Sequence, residues 1–570
     1  MPPALPALYL IAGVRALEAA ALKTDPDARL MERAGLAAAE RARELAGESG
    51  RSVLVLAGPG NNGGDAFEAA VHLKRWFYRV DVVFAGDAAK LPHEAGAAAA
   101  KWNAVDGRLL QAIPAGARYD LVVDGLFGIG LTRAPGGEVA RLIESANALP
   151  GPKLALDIAS GVNADTGAVP GTAFRATHTI TFIARKPGLY TLDGPDCCGE
   201  ITLAPLGLDA AALAPPDGHL VTGALLARPL LARPRNFHKG LAGSLAIVGG
   251  ATGMVGAALL AGRAALRLGA GKVFLGLLAD APPGVDGAQP ELMLRKPGEL
   301  LADVPLTAVA AGPGMGTDAV AQRLLAQALR LEVPLVLDAD ALNLVAAYTV
   351  LQSAVQARKL PTLLTPHPAE CARLLATTTQ VVQADRIGAA RRLATRLQSH
   401  VALKGNGTVV AAPDGRWWIN ASGNPGMASA GMGDVLTGLV GALAAQGLPP
   451  ADALVAGVHL HGAAADAPRG ARRRSARDHR RRADRRGARA RQRSVPGALA
   501  APASTLLPPR LPAGALCACP PASSSTPAPS SATSGSSPRP TGAPRRRRAR
   551  GRCCSRSSAC RWRACTCWCC

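Results

Sequence analysis

The sequence lacks long hydrophobic runs. Among its 570 residues no stretch approaches the roughly 20 consecutive apolar residues that a membrane-spanning helix needs. The first ten residues are apolar, but no basic segment precedes them as in a secretory signal peptide. We therefore exclude a membrane-spanning protein and expect a cytoplasmic one without a signal peptide.

Cysteine is scarce in most of the chain. The first 468 residues contain only Cys197, Cys198 and Cys371, and the other nine of the 12 cysteines lie at or beyond Cys517. Three such thiols provide no disulfide framework, and this usage is typical of a reducing compartment.

An excess of positive charge is also missing from most of the chain. The whole chain has a net charge of +23, but residues 469–570 contain 24 Arg against Asp478 and Asp484, a net of +22. Residues 1–468 therefore carry 40 basic and 39 acidic side chains, a net of +1. The basic balance indicates nothing about the partners of the main part of the protein.

The C-terminal tail, residues 469–570, lacks the aliphatic side chains that a folded core requires. Its Arg-rich part could bind nucleic acid electrostatically. Its last cysteines could bind metal, although their spacing fits no usual zinc pattern. We favour a third interpretation, out-of-frame translation, because the break falls inside a helical region. We predict a disordered Arg/Pro/Cys-rich tail and assign it no function.

Before the tail, short apolar runs alternate with helical stretches. This alternation predicts buried parallel strands and two α/β domains. We place a Rossmann-like parallel-sheet domain at 1–215 and a second α/β domain at 225–468. The segment 204–236 has no strand signals and is predicted to be a connector. The predicted strands are 52–57, 81–85, 120–124, 153–158, 177–183, 244–248, 272–277, 307–311, 334–338, 362–365, 401–404, 408–411 and 416–420.

A glycine-rich turn follows the first of these strands and opens a helix. It reads Gly58-Pro59-Gly60-Asn61-Asn62-Gly63-Gly64-Asp65. Its first six residues fit the G-x-G-x-x-G pattern of dinucleotide-binding domains. Asp65 would repel a pyrophosphate at this helix start, so we give that interpretation less weight. The distinctive side chains of the turn are polar: Asn61, Asn62 and Asp65.

Two further polar clusters follow predicted strands. One begins at Asp124 and continues to Arg133, and the other contains Asp157 and Ser160. The carboxyl ends of parallel strands line one crevice, so Asn62, Asp124 and Ser160 offer oxygen ligands suited to K⁺. Each aspartate alone fits a turn or a helix cap equally well. Their occurrence at successive strand ends favours a site.

Residues 1–210 resemble NAD(P)H-hydrate epimerases, including the run Phe182…Arg185-Lys186-Pro187-Gly188. The resemblance implies interconversion of the R and S forms at the hydrated ring carbon, with K⁺ on Asn62, Asp124 and Ser160. That chemistry needs a closed polar pocket and a proton shuttle, for which Asp157 is our candidate base. The residues implied to bind the hydrated dinucleotide are Asn61, Asn62, Gly63, Gly64, Asp65, Gly128, Ile129, Gly130, Leu131, Thr132, Arg133 and Asp157.

The most informative stretch lies later, where the turn Gly431-Met432-Gly433 leads into Asp434 and an apolar helix. Backbone N–H groups are unpaired at such a helix start, where the helix dipole favours an anion. An aspartate beside that anion site can take a proton from a hydroxyl that attacks a phosphate. The pattern predicts phosphoryl transfer to an alcohol; the alternative is a simple helix entry with Asp434 as a cap.

Five other motifs precede this turn in a fixed order. They contain Phe237-His238-Lys239-Gly240, Gly249-Gly250-Ala251-Thr252-Gly253, Gly312-Pro313-Gly314-Met315-Gly316, Asp338-Ala339-Asp340 with Pro366-His367-Pro368, and Lys404-Gly405-Asn406-Gly407-Thr408. Together they resemble the ADP-dependent NAD(P)H-hydrate dehydratases, which have a ribokinase-like fold. Alone, His367 is more often a packed or solvated loop histidine.

The resemblance assigns roles in this second domain. The hydrate hydroxyl would be phosphorylated from ADP, and phosphate would then leave and give NAD(P)H and AMP. Asp434 would deprotonate the hydroxyl, while Mg²⁺ and the N–H groups of 431–433 stabilise the phosphoryl charge. Ala257, Gly316, His367 and Asp434 would contact the hydrate. Lys404, Gly405, Asn406, Gly407, Thr408 and Gly433 would contact the adenine nucleotide.

Two departures from the family pattern affect the second domain. Met432 replaces the usual Ser, which removes a hydroxyl but keeps both glycines, so we expect reduced catalysis. After His461-Gly462, Arg-rich sequence replaces helices of the family.

We predict a bifunctional repair enzyme acting on the small molecules NADHX, NADPHX and ADP. We expect no specific nucleic-acid or membrane partner, and a homo-oligomer. The alternatives are a kinase of a small vitamin alcohol, and a first domain that acts as a binding or scaffold module.

Overall fold

The computed structural model describes residues 5–131, 133–223 and 233–481, with side chains up to residue 467. Its strands form two sheets, one of seven and one of 11 strands, with helices between most of the successive parallel strands. The α/β fold class predicted from the alternating pattern is confirmed. Within the described residues, no helix is both long enough and apolar enough to cross a bilayer.

The first sheet has seven strands in the spatial order β4-β3-β2-β5-β6-β7-β8. Every neighbouring pair in it is parallel. Its middle strands are apolar on both faces because helices cover both, as the uninterrupted apolar runs predicted. The strands are β2 (Ser52–Ala57), β3 (Arg79–Phe84), β4 (Arg108–Leu110), β5 (Leu121–Gly125), β6 (Lys153–Leu156), β7 (His178–Phe182) and β8 (Glu200–Ala204). The helices before and around them are α1 (Ile11–Thr24), α2 (Leu30–Ala46), α3 (Asn61–Arg75), α4 (His93–Ala104), α5 (Gly137–Ala148), α6 (Gly194–Cys198) and α7 (Ala210–Leu213).

The second sheet has the order β1-β9-β18-β17-β16-β15-β14-β13-β10-β11-β12. Its strands are β1 (Ala7–Leu8), β9 (Gly218–Val221), β10 (Ser244–Gly249), β11 (Lys272–Leu277), β12 (Met293–Arg295), β13 (Ala308–Ala311), β14 (Leu335–Leu337), β15 (Thr362–Leu364), β16 (His400–Leu403), β17 (Thr408–Ala411) and β18 (Trp417–Asn420). Within this sheet, the neighbouring strands in the run β16-β15-β14-β13-β10-β11-β12 are all parallel. Strands β17 and β18 form the predicted hairpin.

The second set of helices packs on this sheet. They are α8 (Val255–Arg267), α9 (Pro297–Asp303), α10 (Ala319–Leu329), α11 (Ala339–Ala347), α12 (Thr349–Gln356), α13 (Pro368–Leu375), α14 (Thr379–Ala384), α15 (Arg386–Leu397), α16 (Met432–Ala445) and α17 (Pro450–Arg481). Helix α17 continues past Asp466, the predicted end, through a segment rich in the strong helix formers Ala and Arg. Residues 482–570, and with them most of the predicted tail, lie outside the described residues.

The predicted connector differs from the structure. It contains β9, which pairs with β18 on one side and with β1 on the other. Leu8 of β1 is fully buried in the core of the second domain. These strands of two and four residues are too short to show a period, so no periodic pattern predicts them. The start of the chain thus completes the edge of the second sheet, and both domains belong to one compact unit.

Candidate active sites

The first candidate site is a cavity of about 570 Å³ at the carboxyl ends of β2, β5 and β6. This is the crevice where ligands bind in open parallel sheets. The predicted residues that line it are Asn61, Asn62, Asp65, Gly128, Ile129, Gly130, Leu131 and Asp157.

Four other predicted residues of this site do not line the cavity or cannot be placed. Gly63 and Gly64 are buried, and a side chain on Gly63 would collide with the Gly58 carbonyl. The small size of Gly63 lets α3 begin against the preceding turn, and that of Gly64 lets Met31 of α2 and Ala95 of α4 pack closely on α3. Arg133 is exposed beside the cavity, and Thr132 lies outside the described residues.

Two of the three residues proposed for K⁺, Asp124 and Ser160, meet at the end of β5. Asp124 is fully buried, and its carboxylate accepts hydrogen bonds from Ser160 Oγ at 2.7 Å and Ser160 N at 2.8 Å. Burial raises the pKa of Asp124 to about 6. Asn62 is buried beside Gly128, and its Nδ2 has no hydrogen-bond partner among the described residues. The hydrogen-bond partners of this buried carboxylate are all neutral, so the site fits a monovalent cation.

Asp157 follows β6 in the left-handed region, with φ of 66°. Its Oδ1 accepts hydrogen bonds from Lys186 Nζ and from Phe182 N at 3.2 Å. Lys186 is fully buried and also donates to Thr181 Oγ1 at 3.0 Å. Oδ2 receives no hydrogen bond from the described residues and is left for a ligand. Lys186 lies within the run that carried the resemblance, but its pairing with Asp157 was not predicted.

Three other carboxyl groups line the same cavity: Glu18, Asp65 and Glu94. Burial raises the pKa of Asp65 well above its ordinary value, and the charges of Asp157, Glu18 and Glu94 raise it further. Burial also raises the pKa of Glu18. The cavity therefore contains two carboxyl groups in different surroundings: Asp65, whose pKa is raised, and Asp157, which pairs with Lys186. Glu18 and Glu94 were missed because both belong to helices distant in sequence.

The second candidate site is a cavity of about 910 Å³ beside the loop after β16. All six residues predicted for the adenine nucleotide line it, and so does His367. They are Lys404, Gly405, Asn406, Gly407, Thr408 and Gly433. The sequence did not predict the contributions of His461, of the segment 420–429, or of first-domain residues such as Tyr190.

Lys404 is held by a carboxylate from another strand. Its Nζ lies 2.7 Å from Asp338 Oδ1, and Thr437 Oγ1 donates to Asp338 Oδ2 at 2.7 Å. Asp338 is 1% exposed, so the ion pair is shielded from water on that side. The motif 338–340 was noted in the sequence, but a pairing across 66 residues needs the folded sheet.

Asp434 lies in the first turn of α16, whose N-cap Gly431 has φ of 88°. Burial raises the pKa of Asp434, the charge of Asp338 raises it further, and Lys404 opposes the shift. Asp434 receives no hydrogen bond or salt bridge from the described residues, but it does not line the cavity, whereas its neighbours Met432 and Gly433 do. The predicted turn into a helix is confirmed, and the alternative of a side-chain cap does not apply because Gly431 is the cap.

His367 caps α13. Its Nδ1 accepts from Ala369 N at 3.1 Å and Glu370 N at 3.3 Å, and Glu370 completes a capping box. Burial lowers the pKa of His367, and Lys404 lowers it further. Because Nδ1 accepts these two hydrogen bonds, the ring proton is assigned to Nε2, which lies 3.2 Å from Glu370 Oε1. The capping role was not predicted, and it fixes the ring at the cavity.

Ala257 and Gly316 do not line the nucleotide cavity. Ala257 lies in α8 beside Gly314, and Gly316 N donates to Asp340 Oδ2 at 2.8 Å. The charge of Asp340 also raises the pKa of Asp434. Asp434 is thus electrostatically coupled both to Lys404, which lines the cavity, and to Asp340, which holds Gly316.

Comparisons with known proteins match both halves of the chain. A family model described as NAD(P)H-hydrate dehydratase matches residues 245–478, and one described as YjeF-related protein N-terminus matches residues 27–188. The bifunctional NAD(P)H-hydrate repair enzyme Nnr of Escherichia coli (strain K12) is 41% identical over 77% of this chain and 84% of its own length. The enzyme of the same name from Moorella thermoacetica is 38% identical, over 77% and 88%. A crystal structure of the ADP/ATP-dependent NAD(P)H-hydrate dehydratase from Bacillus subtilis with ATP and Mg²⁺ is 33% identical over 41% of this chain and 83% of that one, with a TM-score of 0.36.

The two motif sets, their positions at the strand ends and the similarity along both domains all agree. This chain belongs to the family of bifunctional NAD(P)H-hydrate repair enzymes.

Proposed function

We propose that this chain repairs hydrated nicotinamide dinucleotides in two steps. The first domain interconverts the R and S hydrates, and the second dehydrates the S form with ADP, releasing AMP and phosphate. The observation that carries the proposal is Asp434, a carboxylate at a glycine-capped helix start that is electrostatically coupled to Lys404 of the nucleotide loop and to its partner Asp338. Family membership supports the choice of substrate.

In the second domain Asp434 is the base. It removes the proton of the hydrate hydroxyl as that oxygen attacks the β-phosphorus of ADP, and the P–O bond to AMP breaks. The C–O bond of the phosphorylated hydrate then breaks, phosphate leaves, and loss of a neighbouring C–H proton restores the ring double bond. Lys404 neutralises phosphate charge, and Asp338 holds its ammonium group in place.

The nucleotide brings Mg²⁺ with it in this proposal. The described residues contain no group of three His, Cys, Asp or Glu that would bind a metal ion alone. Magnesium sites at phosphates use only one or two carboxylates and several waters, so Mg²⁺ bound to the nucleotide needs no such group. Bound Mg²⁺ would neutralise charge on the phosphates.

In the first domain Asp65 and Asp157 share the proton shuttle. Burial and the neighbouring carboxylates raise the pKa of Asp65, which favours it as the acid, and Asp157 offers its open Oδ2 as the base. Pairs of carboxyl groups with different environments divide acid and base roles in this way. Asn62, Asp124 and Ser160 would hold K⁺, whose charge would balance the buried carboxylate.

A direct test follows NADH absorbance with purified protein, Mg²⁺ and NADHX. We expect NADH from both epimers with ADP, and none without a nucleotide. Product from the S epimer alone would contradict the epimerase role. A stable phosphorylated product without NADH would instead indicate a kinase.

Two further properties remain predictions. The three cysteines in the part of the chain that the structure describes are free and buried, which suits a reducing, cytoplasmic location. We also expect a homo-oligomer.

A further inference from the structure

The nucleotide cavity of the second domain has a wall that comes from the first domain. Leu189, Tyr190, Pro195, Asp196, Gly199 and Ile201 line it together with the loop 404–408. These residues follow β7 and reach the start of β8, so they belong to the sheet of the first domain. Neither the epimerase chemistry nor the dehydratase motifs account for them.

The contact is made by specific hydrogen bonds to the nucleotide loop. Thr191 Oγ1 donates to the carbonyl oxygens of Asn406 at 3.2 Å and Gly407 at 3.1 Å. The Asn406 side chain donates to Leu192 O at 2.6 Å, and Leu192 N donates to Asn406 O at 3.1 Å. The backbone of the nucleotide loop is therefore fixed from the side of the first domain.

Packing at this contact is close. A methyl group on Gly407 would collide with the carbonyl oxygen of Tyr190. The Tyr190 ring packs against core residues of both domains. On the other side, Arg386, which is 1% exposed, donates to Leu403 O at 3.3 Å and Gly407 O at 3.5 Å. The loop is held between Arg386 of its own domain and residues 190–192 of the other.

We propose that Thr191 and Tyr190 of the first domain are positioning residues for the adenine nucleotide of the second. They hold the loop 404–408 in its binding conformation and close one side of the cavity. This inference rests on the proposed function, because it takes the bound molecule to be ADP. In this chain the dehydratase then depends on the epimerase domain for ADP binding.

The test uses the full chain with Thr191→Val, which keeps the shape and removes both hydroxyl hydrogen bonds. We expect the KM and the calorimetric Kd for Mg²⁺–ADP to rise about threefold to tenfold. The KM for the hydrate and the epimerase rate should stay unchanged, which a general loss of folding would not give. The matched control is Thr179→Val, a buried threonine whose hydroxyl donates within the first domain to Cys198 O at 2.7 Å.

A second variant, Tyr190→Leu, keeps apolar contact with both cores and removes the ring from the cavity wall. This variant should weaken ADP binding in the same way. If Thr191→Val does not fold, the ADP affinity of Tyr190→Leu tests the inference instead. Unchanged ADP affinity in the folded variants would overturn the inference while leaving the proposed function intact. Failure of the unaltered chain to bind ADP would overturn both.

Discussion

Asp434 shows how one side chain acquires a function from its surroundings. Its position after Gly431-Met432-Gly433 was readable from the sequence, because glycines before a helix indicate an anion site. The pairing of Lys404 with Asp338 was not readable, since it joins two strands far apart in the chain. Local motifs therefore predicted which residues belong to the site, whereas the contacts between these residues depend on the folded sheet.

Replacement of Asp434 by Asn should lower dehydratase kcat by about 10²- to 10⁴-fold, the usual contribution of a general base. The raised pKa of Asp434 makes the ionised base disappear at a higher pH than for an ordinary Asp. The kcat–pH profile should therefore lose activity on the acid side at a higher pH than an ordinary aspartate would give. The control is Asp303→Asn, an exposed aspartate at the end of α9. A wild-type profile in Asp434→Asn would exclude Asp434 as the base.

Asp124 offers a test of the K⁺ site that does not depend on activity. At a K⁺ concentration tenfold above Kd, binding should stabilise the folded chain by about 1.4 kcal/mol relative to choline at equal ionic strength. Thermal unfolding should show this shift in the unaltered chain and lose it in Asp124→Asn. The matched control is Asp81→Asn, a buried carboxylate of the same sheet that pairs with Tyr119 and Arg108. If K⁺ raised the stability of Asp124→Asn as much as that of the unaltered chain, Asp124 would not be a K⁺ ligand.

Among the elements, α17 has a direct connection to the nucleotide cavity. Asp466 accepts hydrogen bonds from Gly423 N at 2.7 Å and Asn424 Nδ2 at 2.9 Å, and both of these residues line the cavity. The sequence predicted this helix from its period, but polar contacts between the helix and the loop leave no periodic signal. The last described helix therefore orders part of the nucleotide site.

Asp466→Ala should raise the KM for ADP about tenfold, because a hydrogen bond to a charged group contributes about 1.5–3 kcal/mol. Epimerase activity should not change, since no contact of Asp466 reaches the first cavity. Asp452→Ala, in the first turn of the same helix and not lining the cavity, serves as the matched control. Equal KM values for ADP in the two variants would show that ADP binding does not depend on the hydrogen bonds between Asp466 and the loop 423–424.

For the whole molecule, charge and catalysis are separable along the chain. Every residue assigned to either site lies before residue 467, whereas the net positive charge lies after it. The sequence predicted this division from composition and predicted both domains from strand alternation. It did not predict how the domains join, because β1, β9 and residues 189–192 contribute few residues each.

Removal of residues 482–570 deletes 17 Arg and Asp484, so the net charge falls from +23 by 16 to +7. We expect both activities to persist and the retention on heparin to move to lower salt, because polyanion binding depends on the number of basic contacts. Unchanged retention would place the polyanion-binding surface in the two domains. Loss of dehydratase activity alone would show that the tail supports the second site.

The pairing of β1 with β9 imposes an order of events during synthesis. Leu8 leaves the ribosome early, but its partner Gly218 is made only after the whole first sheet. At about 5–20 residues per second, the start of the chain waits on the order of ten seconds or more for its partner strand. The second sheet then closes around one of the oldest segments of the polypeptide, so folding cannot proceed strictly from the first domain to the second.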